Sequence, residues 1–172
     1  STLHQSCSAR SGRSPRIVRA MRGEVTVHID APPEAVWDLV SDVTRIGQYS
    51  PETFEAEWLD GATGPAVGVR FRGHVKRNQK GPVYWTECHV TECEPGRRFT
   101  FGVGKPGKAI NTWSYELTPA DGGTDVTESF RLADSVPTRV YWALLGWARS
   151  RTNREGMQAT LERMKAQLER PA

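Results

Sequence analysis

Two residues in the alternating part of the chain form a chemically useful pair. Glu128 lies between Val126 and Phe130, so strand alternation predicts that its side chain points inward with theirs. A two-residue turn at Asp121 and Gly122, or a four-residue loop around them, would place Tyr115 opposite Glu128. Burial raises the pKa of such a carboxyl group, whereas a phenol that donates to its ionised form lowers it. The pair therefore suits general acid–base catalysis or hydrogen bonding to a ligand hydroxyl.

Other patterns in the sequence point to little further chemistry. A three-residue turn would break the register of the pair, and a bulge or an edge position would expose Glu128 to solvent. Arg72 and Glu87 form a second charged pair, which is better explained as a solvated cross-strand contact. The chain lacks a Gly-x-Ser-x-Gly motif and a P-loop, and its four histidines and three cysteines lack metal-ligand spacing. We therefore predict no metal and no cofactor.

The predicted inward face mixes aromatic and polar side chains. Core packing alone would explain most of the aromatic residues. Polar groups on the same face would cost about 1–3 kcal/mol each in a dry core, and a wet or ligand-filled cavity removes that cost. The predicted ligand-binding residues are Trp58, Phe71, Tyr84, Thr86, Phe99, Phe101, Asn111, Trp113, Phe130, Tyr141 and Leu145.

Seven alternating segments position these residues. The first is predicted at residues 23–29, and six more follow between residues 53 and 132. A hairpin turn at residues 78–81 would set Phe71 opposite Cys88 and Arg72 opposite Glu87. Alternation also places Phe54 on the inward face with Ala56 and Trp58. Cys88 and Cys93, five residues apart on one strand, are predicted to point to opposite faces and to remain unbridged.

Helical patterns flank the strands. Two short helices or turns are predicted after the first strand, near residues 32–40 and 42–50. A long helix over residues 138–169 carries an apolar stripe, which consists of Met157, Leu161, Met164 and Leu168. Residues 141–148 are apolar around most of the circumference, which predicts a gate or an interface. Gly156 predicts a bend or a close backbone approach.

Charge and composition bound the domain organisation. Residues 1–22 contain five arginines and no acidic residue, which more than accounts for the net charge of +3. The rest of the chain is slightly acidic, so nucleic-acid binding is disfavoured. Residues 1–22 are predicted to be a disordered tail, and they fit a transit peptide only loosely because no amphipathic period accompanies the arginines. Residues 23–170 form one predicted domain, and we expect a soluble, cytoplasmic protein that is a monomer or a weak homodimer.

Four phrases carry a resemblance to a known family: residues 29–37, residues 90–99, residues 113–119 and residues 123–128. Together they resemble the polyketide cyclase/dehydrase branch of the START-like (SRPBCC) superfamily. The resemblance implies an α+β helix-grip fold, in which a curved seven-stranded antiparallel sheet surrounds a long C-terminal helix. It also implies a hydrophobic cavity that some members use to bind lipids, sterols or aromatic polyketides and a few use for cyclisation or dehydration.

The sequence leaves three functions open. The favoured one is the binding of a small lipophilic or aromatic metabolite, because no catalytic constellation is complete. The second is an aromatic polyketide cyclase or dehydratase that uses Glu128 and Tyr115. The third is an adaptor for a protein or a membrane surface through the apolar start of the last helix, without stable membrane insertion.

Overall fold

The computed structural model describes residues 21–77 and 80–170. The predicted tail, up to residue 20, and the tip of the predicted turn at residues 78–81 lie outside the described residues. In chain order the elements are β1 (Arg22–Ile29), α1 (Pro33–Val40), a 3₁₀ helix (Val43–Gln48), β2 (Thr53–Trp58), β3 (Arg70–Lys76), β4 (Val83–Glu94), β5 (Arg98–Val103), β6 (Asn111–Ala120), β7 (Gly123–Leu132) and α2 (Val136–Leu168).

The seven strands form one antiparallel sheet in the order β1-β7-β6-β5-β4-β3-β2. This confirms the predicted α+β helix-grip fold. Asp121 and Gly122 both have positive φ, 45° and 76°, which makes the β6–β7 connection a tight two-residue turn that matches the sheet twist. The turn fixes Tyr115 opposite Glu128, as predicted.

The helices cover the concave face of the sheet. Met157, Leu161 and Met164 of α2 are fully buried there, so the predicted apolar stripe is confirmed. Ser135 caps the start of α2 in a capping box with Thr138. Among the described residues, no helix is long and apolar enough to cross a membrane.

A β-bulge in β2 moves Phe54 off the predicted face. Thr53 pairs with Val75 and Glu55 pairs with His74, so Phe54 is an extra residue without a partner opposite it. The Phe54 ring packs on the convex face with its centroid 4.4 Å from that of His74. The prediction of an inward Phe54 is therefore wrong.

A second bulge, in β4, changes the relation between the cysteines. Val90 pairs with Phe101 and Glu92 pairs with Thr100, so one extra residue lies between them. Cys88 and Cys93 consequently both face the concave core instead of opposite faces. Both thiols are free, because the two residues lie far apart along the same strand.

Gly47 in the 3₁₀ helix is expected to be intolerant of any side chain. A Cβ atom there would collide with the carbonyl oxygen of Phe54, which is backbone and cannot move aside. Gly47→Ala is expected to lower the free energy of unfolding by roughly 1–3 kcal/mol in urea titrations. Gly64→Ala is the matched control, since a Cβ atom at Gly64 meets nothing within 4 Å. Equal stability of the two variants would contradict this packing.

Candidate ligand cavity

A cavity of about 220 Å³ lies between the concave face of the sheet and α2. An apolar cavity of about 150 Å³ is large enough to hold benzene, so this one has room for a small aromatic molecule. Phe71, Phe101 and Trp113 form apolar walls, and the exposed Tyr84 and Ile110 stand at its mouth.

Glu128 and Tyr115 meet at the inner wall of this cavity. The Tyr115 hydroxyl donates a hydrogen bond of 3.0 Å to Oε1 of Glu128. Glu128 is only 4% exposed, and its Oε2 atom is buried without a hydrogen-bond partner among the described residues. Burial raises the pKa of Glu128 to about 8, and the hydrogen bond from Tyr115 opposes this rise only in part. At neutral pH the carboxyl group is therefore mostly protonated, with its proton on Oε2.

A second tyrosine belongs to the same cluster. Tyr49, directly after the 3₁₀ helix, is almost completely buried. Burial and the nearby Glu128 carboxyl raise its pKa above the ordinary value. The pKa of Tyr115 is raised by burial, by Glu128 and by Tyr49. The three acidic groups are thus neutral together at physiological pH, and the cavity offers hydrogen bonds to neutral groups.

Asn111 supplies a complementary group. Its Oδ1 atom is buried and has no hydrogen-bond partner in the described part of the chain. An unsatisfied buried acceptor costs about 1–3 kcal/mol, so both Asn111 and Glu128 would be stabilised by a polar group inside the cavity. The Oδ1 atom of Asn111 offers an acceptor to a bound molecule, and the protonated carboxyl group of Glu128 offers a donor.

The wall from α2 was not predicted. It consists of Arg149, Thr152, Asn153, Gly156, Met157 and Thr160. The hydroxyl groups of Thr152 and Thr160 donate to backbone carbonyls four residues earlier, which leaves their methyl groups to pack. Asn153 precedes Met157 by four residues and is buried like it. Extending the apolar stripe by one turn toward the start of α2 would therefore have predicted that Asn153 faces inward.

Gly156 also differs from its prediction. The α2 helix is continuous through this residue, and a Cβ atom there would meet nothing within 4 Å. No described part of the backbone approaches it closely, so the predicted close approach is wrong. The missing side chain enlarges the cavity instead.

Of the eleven predicted ligand-binding residues, six line the cavity and five do not. Phe99 packs edge-to-face on Trp37, with centroids 6.2 Å apart, and lies beneath the helices. Those that line the cavity are Phe71, Tyr84, Thr86, Phe101, Asn111 and Trp113.

Besides Phe99, four predicted ligand-binding residues lie outside the cavity. Trp58 packs edge-to-face on Phe71 from the β2 edge, at 5.8 Å between centroids. Phe130 is covered by Trp142 of α2, at 6.3 Å. Tyr141 and Leu145 are exposed on the outside of α2.

The comparisons with known proteins agree with this fold. The model of the family described as "Polyketide cyclase / dehydrase and lipid transport" matches residues 20–169. The chain belongs to this family. Its membership confirms the resemblance seen in the sequence and places the chain among START-like proteins. The comparison with curated proteins gave no match.

Solved structures share the fold of this family member. A Polyketide_cyc-like protein of Corynebacterium glutamicum is 27% identical, with a TM-score of 0.54 over 89% of this chain and 92% of the other. A protein of Chromobacterium violaceum is 17% identical, with a TM-score of 0.64 over 87% of this chain and 99% of the other. A protein of Thermus thermophilus is 18% identical, with a TM-score of 0.64 over 86% of this chain and 96% of the other. The last two show the fold alone.

Proposed function

We propose that the chain binds a small lipophilic or aromatic metabolite in the cavity between the sheet and α2. The observation that carries the proposal is the buried Oε2 atom of Glu128, which faces an aromatic-lined space without a partner among the described residues. Apolar walls with a few convergent polar groups are typical of small-molecule sites. The family described as acting in lipid transport agrees with such a ligand.

The polar groups define the chemistry of this ligand. The protonated carboxyl group of Glu128 donates a hydrogen bond, which suits a carbonyl, ether or phenol oxygen. The Oδ1 atom of Asn111 accepts one, which suits a hydroxyl group. A hydroxylated aromatic compound with a second oxygen satisfies both atoms, and its rings contact Phe71, Phe101 and Trp113.

Native mass spectrometry of the purified full chain tests this proposal. We expect a co-purified small molecule, or uptake of one equivalent of the probe 2-naphthol, which has one hydroxyl on two apolar rings. Asn111→Leu should weaken 2-naphthol binding by about fivefold to tenfold, because it removes one hydrogen bond. Thr118→Leu, on the same strand but outside the cavity lining, should bind like the unmodified chain. Absence of both a co-purified molecule and probe uptake would refute the proposal.

A catalytic role in cyclisation or dehydration is a second candidate. The pKa of Glu128, about 8, lies close to neutral pH, where a group exchanges protons efficiently as general acid or base. In a dehydration the minor carboxylate form of Glu128, held by the Tyr115 hydroxyl, would take a proton from the carbon next to a carbonyl. Glu128 would then give this proton to the hydroxyl on the following carbon, which leaves as water as the double bond forms. Cys88 is no alternative nucleophile, because burial raises the pKa of its thiol to about 12.

Glu128→Gln separates the two candidates. If the chain is a binder, the affinity for the co-purified molecule should change modestly and lose its pH dependence. If the chain is an enzyme, conversion of that molecule, followed by its mass, should stop while its binding persists.

A further inference from the structure

The first half of α2 presents an unusual surface to solvent. One outward stripe, spaced by three and four residues, consists of Val136, Val140, Leu144, Trp147, Arg151 and Arg154. Its apolar members are 72%, 55%, 70% and 78% exposed in that order. We call these six residues the outer stripe of α2.

The opposite side of the same helical segment anchors it to the domain, which leaves the apolar members of the outer stripe exposed. Trp142 packs on Phe130, and Asn153 is buried against the domain. The helix is therefore anchored by its inner side. The outer stripe adds nothing to the core, yet it keeps large apolar residues in water, where a contiguous patch marks an interaction surface.

The charge around the outer stripe has one sign. Residues 135–154 contain Arg139, Arg149, Arg151 and Arg154 and no aspartate or glutamate. Arg139 pairs with Asp134 and Arg151 with Glu155, at the two ends of this segment. Arg149 and Arg154 form no salt bridge with any described residue, so the segment carries excess positive charge.

We propose that the outer stripe docks onto the surface of a lipid bilayer that contains anionic phospholipids. The helix would lie in the plane of the interface, with Val140 and Leu144 at the level of the upper acyl chains and Trp147 at the headgroups. Arg151 and Arg154 continue the same stripe and would reach lipid phosphates. An apolar stripe that merges into arginines matches the layered chemistry of such a surface.

A second copy of the chain fits the same surface less well. Paired stripes would bring arginines of one copy against arginines or apolar side chains of the other, and the stripe offers no acidic partner for them. The proposal is independent of the cavity ligand. Arg149 and Thr152, which line the cavity, lie on another side of the same helical segment, so docking would bring the cavity close to the lipid.

Flotation of the full chain with phospholipid vesicles tests this surface. We expect binding to vesicles that contain phosphatidylglycerol, weakening with added salt, and little binding to pure phosphatidylcholine. Leu144→Gln with Trp147→Gln should reduce the bound fraction by about tenfold or more, because both side chains lose their contact with the acyl region. Arg151→Gln with Arg154→Gln should remove most of the salt dependence.

Controls keep the outcome unambiguous. Val67→Gln changes an equally exposed apolar residue on a distant loop and should bind vesicles normally. The stripe variants should keep their circular dichroism and melting temperature, because they alter exposed side chains only. Failure of the unmodified chain to bind anionic vesicles at low salt would overturn the proposal. So would a dimer in analytical ultracentrifugation that the Leu144 and Trp147 changes dissociate while vesicle binding is unaffected.

Discussion

Glu128→Gln is expected to raise the free energy of unfolding by roughly 3–5 kcal/mol at about pH 9 and to change it little at about pH 5. Glutamine has nearly the same shape, accepts the same hydrogen bond from Tyr115 and carries no charge. The variant thus removes only the cost of ionising a buried carboxyl group.

The sign follows from proton binding. The pKa of Glu128 is about 8 in the folded chain, against an ordinary value of 4.5. Between these two pH values the folded state holds a proton that the unfolded state has released, so the stability of the unmodified protein falls as pH rises. Below pH 4.5 Glu128 is protonated in both states, and above about pH 8 it is ionised in both, so the loss of stability is complete there. Glutamine makes this contribution independent of pH.

Urea titrations across this pH range measure the effect as the difference between the two proteins. His28 also titrates there, because its hydrogen bond to Asp125 raises its pKa, and its stabilisation is likewise lost as pH rises. Both proteins contain His28, so its contribution cancels in the difference. Glu116→Gln is the control, since Glu116 on the same hairpin is half-exposed and pairs with Arg98 at 3.4 Å. A constant difference between the unmodified chain and Glu128→Gln would show that Glu128 is ionised in the folded state throughout.

Local rules were sufficient to predict the central pair of the candidate site. The Asp121 and Gly122 turn has few allowed geometries, and a fixed turn sets the register of the whole hairpin. Alternation then gives the face of each residue. The sequence therefore predicts both the pairing of Tyr115 with Glu128 and the hydrogen bond between their side chains.

Features that depend on tertiary structure did not follow from sequence. The bulges that turn Phe54 outward and Cys93 inward bend their strands and increase the local twist of the curved sheet, and no residue type in either strand requires them. Alternation also identifies the concave face without showing which part of it the helices cover. Phe99 lies beneath the helices for this reason, whereas Phe101, two residues later, lines the cavity.

Gly156→Phe is expected to weaken binding of the cavity ligand by at least about a hundredfold, or roughly 3 kcal/mol, without destabilising the protein. Gly156 lines the cavity, and a Cβ atom there would meet nothing within 4 Å. A phenylalanine ring at this position would occupy much of the 220 Å³ that the ligand needs. The helix itself should gain about 0.5 kcal/mol, because glycine is the poorest helix former after proline.

Two comparisons make this prediction specific. Gly156→Ala should stabilise the helix by about 1 kcal/mol and leave most of the cavity open, so it should bind 2-naphthol almost normally. Gly156→Phe should also retain vesicle flotation, because Gly156 faces the cavity and lies outside the outer stripe. Full 2-naphthol affinity in a folded Gly156→Phe variant would place the ligand outside this cavity. Loss of ligand binding with flotation intact would instead show that the inner and outer sides of α2 act separately, one on the ligand and the other on the lipid surface.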